Sequence, residues 1–239
     1  MLELLYEDAN LRVFNKPANI SLLQDRDSKA NLWTHICKLE GKPYLIHRLD
    51  KGTSGVLLVA RNQAVQSQIT RQFAQRNVRK AYLAWVVGHF PAGRTYQINL
   101  PLCKGRKSRY RVAGQRDQIV LRGRQYQVAQ DREGVYAFTS ARTLIQTRQH
   151  SLLLLHPKTG RSHQLRVHLS WLGFPIVGDH LYGDNKDPKQ KAERLMLHCL
   201  QLKIPGFALF KAPVPEQFTV QPFASGLPVN DGDGFPASE

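Results

Sequence analysis

A carboxylate set among cations can act as a nucleophile or a base, provided its surroundings keep it ionised and fix its rotamer. The stretch Ile46-His47-Arg48-Leu49-Asp50-Lys51-Gly52-Thr53-Ser54-Gly55 offers one: Asp50 lies between Arg48 and Lys51, just before a Gly-flanked turn and the apolar run 56–60. Such a position can hold Asp50 at the edge of a cleft. Taken alone, Asp50 could equally cap a turn or pair with Arg48 on the surface. A second stretch, His156-Pro157-Lys158-Thr159-Gly160-Arg161-Ser162-His163-Gln164-Leu165-Arg166-Val167-His168-Leu169, leads from a Gly-containing turn into a helix. Its first turns carry Arg161, His163, Gln164, Arg166 and His168, a concentration of donors suited to an anionic ligand or a carboxylate. A solvated helix face is the other reading. Against it, Leu165 and Leu169 mark a buried stripe, so the adjacent Arg166 is expected to be partly buried and to need a partner. Metal binding fares worse. His163 and His168 are five apart and diverge on a helix, and neither an HExxH motif nor a CxxC pair accompanies them.

These residues need elements to carry them. Short apolar segments of strand length dominate, at residues 11–14, 56–60, 82–87, 96–100, 118–121, 135–138, 152–155 and 195–202. Two stretches read as helices. In 64–76, Val65, Ile69 and Phe73 recur every fourth position, and in 162–172, Leu165, Leu169 and Leu172 form a stripe with Ser162 as the expected N-cap. The expected class is α+β, with strands outnumbering two helices. Residues 104–111 hold five cations and no apolar period, which reads as an exposed loop. The tail 224–239, rich in Gly, Pro, Asp and Ser, is expected to be disordered, leaving residues 1–223 as one catalytic domain.

Composition bounds the partners. The 239 residues include 34 Lys and Arg against 18 Asp and Glu, a net charge of +16 that would attract a polyanion such as RNA, DNA or an anionic membrane surface. No apolar run approaches the roughly 20 residues that span a bilayer, and the acidic start of the chain does not resemble a secretory signal, so a cytoplasmic location is expected. Cys37, Cys103 and Cys199 are too few and too scattered for a disulfide framework or a metal pair.

The two stretches resemble the signature motifs of the RluA-like family of RNA pseudouridine synthases: His-Arg-Leu-Asp-x-x-Thr-Ser-Gly at 47–55 and Thr-Gly-Arg-x-His-Gln-Leu-Arg-x-His at 159–168. Asn15-Lys16-Pro17, Lys80-Ala81-Tyr82, Gly178-Asp179-His180-Leu181-Tyr182-Gly183 and Leu197-His198 are similar to further family motifs, in the same order. The resemblance implies a mixed, mainly antiparallel bent sheet with flanking helices and a central RNA-binding cleft. It implies that Asp50 is the catalytic aspartate, which detaches uracil from ribose, lets the base rotate and rejoins it through a ring carbon. Tyr82 would stack on the uracil, Arg166 would pair with Asp50, and Arg48 would fill the space left by the flipped nucleotide. His47, Lys51, Thr53, Lys80, Arg161, His163 and Gln164 are the remaining candidates for substrate binding. A flipped nucleotide costs a few kcal/mol, which phosphate contacts from Lys51, Arg71, Arg76, Arg79, Lys80 and the 104–111 loop would offset. No cofactor is expected: an isomerisation conserves its atoms, and no nucleotide-binding loop or metal motif is present. The expected partner is structured ribosomal or transfer RNA, bound by a monomer. Because residues 2–17 already match the start of the catalytic domain, no separate RNA-binding module is expected before it. A silent RNA-binding protein, or a glycosidase with paired carboxylates, are the alternatives. Asp50, Tyr82 and Arg166 together argue against the first, and the lack of a second placed acid argues against the other.

Overall fold

The computed structural model describes residues 2–24, 31–106, 109–129 and 133–219. The tail from 224 onward therefore lies outside the described residues, as do Lys107 and Ser108. In chain order the elements are β1 (Glu3–Glu7), β2 (Leu11–Lys16), α1 (Leu32–Glu40), β3 (Tyr44–Leu45), β4 (Ser54–Ala60), α2 (Gln63–Ala74) and β5 (Arg79–Val87). There follow β6 (Thr95–Asn99), β7 (Leu102–Lys104), β8 (Tyr110–Val112), β9 (Ile119–Arg122), β10 (Gln125–Val128), β11 (Phe138–Gln146) and β12 (His150–Pro157). The last are α3 (Gln164–Trp171), β13 (Leu197–Lys203) and β14 (Leu209–Lys211). The class is α+β, as expected, with three helices among the described residues where two were read. The chain gathers into two compact units interleaved in sequence.

The first unit comprises Met1–Lys80 and Leu197–Val214. Its sheet is built on β4, antiparallel to β2 and β3 and parallel to β13, with β1 on β2 and β14 on β13. β4 reads as a continuous apolar run because every one of its residues is buried. Gly55 allows the β4–β13 pairing: its φ is +109°, and a Cβ there would stand 2.1 Å from the Cys199 carbonyl oxygen. Helix α1, missed by periodicity, is bracketed by an Asn31 side chain accepting from Thr34 N and by Gly41 at φ 77°. It packs Leu32 and Ile36 against Phe14, Leu22, Leu57 and Val59.

The second unit comprises Ala81–Met196 and Pro215–Glu239. Its strands follow the order β5–β12–β11–β6–β10–β9, antiparallel except for β6 beside β10. The expected strand at 135–138 is a correction: Val135 makes only a single bridge to Leu102, and β11 starts at Phe138. The 104–111 segment is likewise no plain loop. Strands β7 and β8 pair as a hairpin with Lys104 opposite Tyr110, so Lys104 and Arg111 lie on a paired two-stranded ribbon. No helix among the described residues is long and apolar enough to cross a membrane.

Candidate active site

In the first unit, the segment leading into β4 is fixed at several points. Lys16, fully buried at the end of β2, donates from Nζ to the carbonyls of Pro17 (2.9 Å), Lys51 (3.2 Å) and Thr53 (2.8 Å). The Thr53 N–H donates to the Asp50 carbonyl at 3.0 Å, closing a tight turn. One buried ammonium thus gathers three carbonyls around this turn, and water is replaced by a rigid set of charge-assisted bonds. Upstream, the Leu58 N–H donates to His47 Nε2 at 3.0 Å, and the ring stacks on Phe73 at 5.2 Å. Burial, with the nearby Lys80 ammonium, pulls His47 down to about 4, so it is a neutral acceptor at physiological pH. Downstream, Ser54 Oγ lies 2.8 Å from Nδ1 of the buried His198. Between these anchors Leu49 is buried, Asp50 half-buried, and Arg48 and Lys51 exposed. The backbone that presents Asp50 is therefore set by the core and not by solvent.

In the second unit, α3 carries the other candidates. Its N-cap is His163, at φ 55° in the left-handed region, and not the expected Ser162. Arg166 does find a carboxylate: Nε and Nη2 donate to Asp179 Oδ2 and Oδ1 at 2.8 and 2.7 Å, a bidentate pair with a fully buried acid. Asp179 Oδ1 also accepts the N–H groups of Leu181 and Tyr182 at 3.0 and 3.1 Å. The guanidinium lies 5.1 Å over the Tyr182 ring. Tyr82, half-buried on β5 opposite Leu155 of β12, stands between the buried Ala81 and Leu83. Arg161 is exposed and donates from Nε to the Tyr136 carbonyl at 3.0 Å.

Four of the expected substrate ligands make structural contacts within their own units. Gln164 is buried and spends all of its bonding capacity inside the unit. Its Oε1 accepts from Thr159 Oγ1 (2.7 Å) and Arg161 N (3.0 Å), and its Nε2 donates to the Phe138 carbonyl and Thr139 Oγ1 (both 3.0 Å). Thr53 is buried and its carbonyl is a Lys16 acceptor. His47 offers its acceptor nitrogen to Leu58 and one ring face to Phe73. Lys80 is buried, and burial lowers its ammonium to about 8, against an opposing influence from Cys199. Two groups were not read from sequence as site-forming: Asp179 and Tyr182. The signal was the spacing Gly178-Asp179-x-x-Tyr182. An Asp after a Gly at φ 76° caps the N–H groups two and three residues on while both of its oxygens accept from a cation. Among the described residues, no group of His, Cys, Asp and Glu is placed to hold a metal ion.

The profile of the family described as RNA pseudouridylate synthase matches residues 10–171. An uncharacterised RNA pseudouridine synthase of Zymomonas mobilis is 35% identical over 226 residues, covering 90% of this chain and 94% of its own. The dual-specificity RNA pseudouridine synthase RluA of Escherichia coli is 33% identical over 219 residues, covering 89% and 93%. Among solved structures, human RNA pseudouridylate synthase domain containing 1 superposes with a TM-score of 0.73 at 28% identity, over 91% of this chain and 84% of that one. With likeness in sequence and in backbone running over nine-tenths of its length, the chain belongs to the RNA pseudouridylate synthase family, enzymes that isomerise uridine in RNA.

Proposed function

We propose that Asp50 is the catalytic carboxylate of this chain, acting on a uridine in structured ribosomal or transfer RNA in the cytoplasm, as a monomer and without a cofactor. The observation that supports it is the Lys16-centred turn, in which one buried ammonium holds the carbonyls of Lys51 and Thr53, while the Thr53 N–H holds the Asp50 carbonyl, and so presents Asp50 from a fixed frame. In the reaction the bond from ribose C1′ to N1 of uracil breaks, the base rotates, and a bond from C1′ to C5 forms. The C5 proton is lost and N1 gains one, so the atoms balance. A carboxylate that is ionised and preorganised can serve as the nucleophile or base at either stage. Tyr82 stacks on the extruded uracil, Arg48 occupies the vacated place in the RNA, and Arg166 supplies positive charge to the site. Lys51, Arg161 and His163 contact the nucleotide or its phosphates, together with the β7–β8 hairpin. The +16 charge suits this partner, since each phosphate neutralised contributes sequence-independent affinity.

The test is D50N, assayed by mapping pseudouridine in RNA from cells that lack the gene, with purified protein added back. Wild type is expected to restore modification and D50N to restore none, while RNA affinity changes by less than about tenfold, because phosphate contacts hold the RNA. Turnover by D50N would remove Asp50 from the mechanism. The sites restored by wild type identify the RNA.

A further inference from the structure

Among the described residues the β7–β8 hairpin pairs with no further strand in a sheet, and an isolated two-stranded ribbon is marginal by itself. Its base is fastened by Leu102, which exchanges backbone bonds of 2.9 and 2.7 Å with Val135. Toward the tip the fastening is of a different kind. The Tyr110 N–H donates to the Tyr182 hydroxyl at 2.9 Å, and the same hydroxyl lies 2.8 Å from His163 Nδ1. The three rings meet edge to face, Tyr110 with His163 at 5.8 Å and His163 with Tyr182 at 5.5 Å.

Tyr182 is itself held along its whole length. Its N–H goes to Asp179 Oδ1, its carbonyl accepts Ser170 Oγ at 2.7 Å, and its ring lies under Arg166. His163 adopts the left-handed backbone, a strained choice for a non-glycine residue, and this turn brings its ring to Tyr182. Lys104 stands opposite Tyr110, Arg106 and Arg109 lie beyond this fastening point and Arg111 on its base side, all exposed.

We propose that the Tyr182 hydroxyl is a positioning group: it latches the basic β7–β8 hairpin to the start of α3, so that the hairpin's cations meet RNA phosphates at a fixed place relative to Arg166. The RNA part of this proposal rests on the functional reading above, whereas the latch itself does not. A hairpin tip that is loose pays ordering entropy each time RNA binds; a latched one has already paid it. Loss of the hydroxyl alone, in Y182F, keeps the ring that packs under Arg166 and removes only the two polar links.

The expected results with a folded RNA substrate are a KM raised about tenfold, as for one or two net hydrogen bonds, and a kcat within about twofold of wild type. In a K104Q/R106Q/R109Q background, adding Y182F should change KM by less than about twofold, because the cations beside and beyond the Tyr110 contact that the variant removes are then no longer there to position. Hydrogen exchange gives a readout independent of catalysis: the Tyr110 amide should be protected in wild type and exchange at least about tenfold faster in Y182F, with the β12 amides unchanged. A loss falling mainly on kcat, or a KM effect of equal size in both backgrounds, would overturn the proposal. So would an unprotected Tyr110 amide in wild type, a measurement that stands even if Y182F does not fold. If wild type isomerises no uridine, the functional reading fails, while the exchange data still decide the latch.

Discussion

Replacing Arg166 by Met tests the energetic logic of the second unit. The side chain of Asp179 is fully buried and that of Arg166 is 11% exposed, so the pair is shielded from water and cannot be treated as a surface ion pair. Removing the guanidinium leaves a buried carboxylate without its counter-ion, a defect that costs about 3–5 kcal/mol where one partner of a buried pair is deleted. Two features place R166M at the lower end. Asp179 keeps the N–H groups of Leu181 and Tyr182, and Met can still pack on the Tyr182 ring that the guanidinium covered. We therefore expect a loss of about 3 kcal/mol. For a domain of this size, each kcal/mol lowers Tm by about 2–4 °C, giving a fall of roughly 6–12 °C. D179N alone should cost about 1–3 kcal/mol, since its oxygen still accepts the two N–H groups but the arginine loses its charge partner.

The decisive measurement is the cycle. In R166M/D179N neither charge is left, so the double variant should be more stable than the sum of the single losses by about 2 kcal/mol or more, read from urea unfolding of all four proteins. It should regain stability and no activity. Additivity within about 0.5 kcal/mol, or a loss in R166M below about 1 kcal/mol, would show that the bidentate geometry carries little energy, and the assignment of Asp179 as the anchor of Arg166 would fail.

Further outcomes follow from other contacts. G55A should give insoluble or unfolded protein, because its Cβ would lie 2.1 Å from a backbone oxygen of β13 that cannot retreat without breaking the β4–β13 pairing; a soluble, active G55A would contradict that geometry. His168, fully buried, receives a hydrogen bond at Nδ1 from Thr139 Oγ1, whose own lone pair is taken by Gln164 Nε2, and donates from Nε2 to the Leu100 carbonyl. Burial lowers its pKa to about 4, below the unfolded value near 6.5, so the unfolded state binds the extra proton first as pH falls. Stability should drop between about pH 6.5 and 4, by about 3 kcal/mol from this group, and an NMR titration of His168 near 6.5 would refute the burial argument. Finally, K104Q/R106Q/R109Q should fold normally and lower the slope of log affinity against log salt by about two, as three lost phosphate contacts require; an unchanged slope would mean these cations are only solvated.

What the sequence disclosed depended on whether the cause was local. β4 was legible because both its faces are buried, and α2 because Val65 and Ile69 repeat on one side. Helix α1 was overlooked because its buried positions, Leu32 and Ile36, make only one helical repeat, yet its punctuation by Asn31 and Gly41 was there to be read. β11 escaped for another reason. Its second residue, Thr139, is polar and completely buried, which breaks the apolar pattern, and its burial makes sense only once Gln164 and His168 arrive from 25 and 29 residues away.

The same limit governs the site. The residue types in the two motifs could be named from the chain, but not their partners: Ser54 meets His198 across 144 positions and Lys16 reaches Thr53 across 37. Gln164 and Arg166 show how fine the distinction is. They are two residues apart in one motif, about 200° apart around α3 at 3.6 residues per turn. That rotation points Gln164 at the backbone of β11, where it is consumed as structure, and Arg166 at the Asp179 turn, where a charged group is retained beside Tyr182. Motif membership makes both candidates; helix phase decides which partners each side chain meets, hydroxyls and backbone groups for Gln164 and a carboxylate for Arg166.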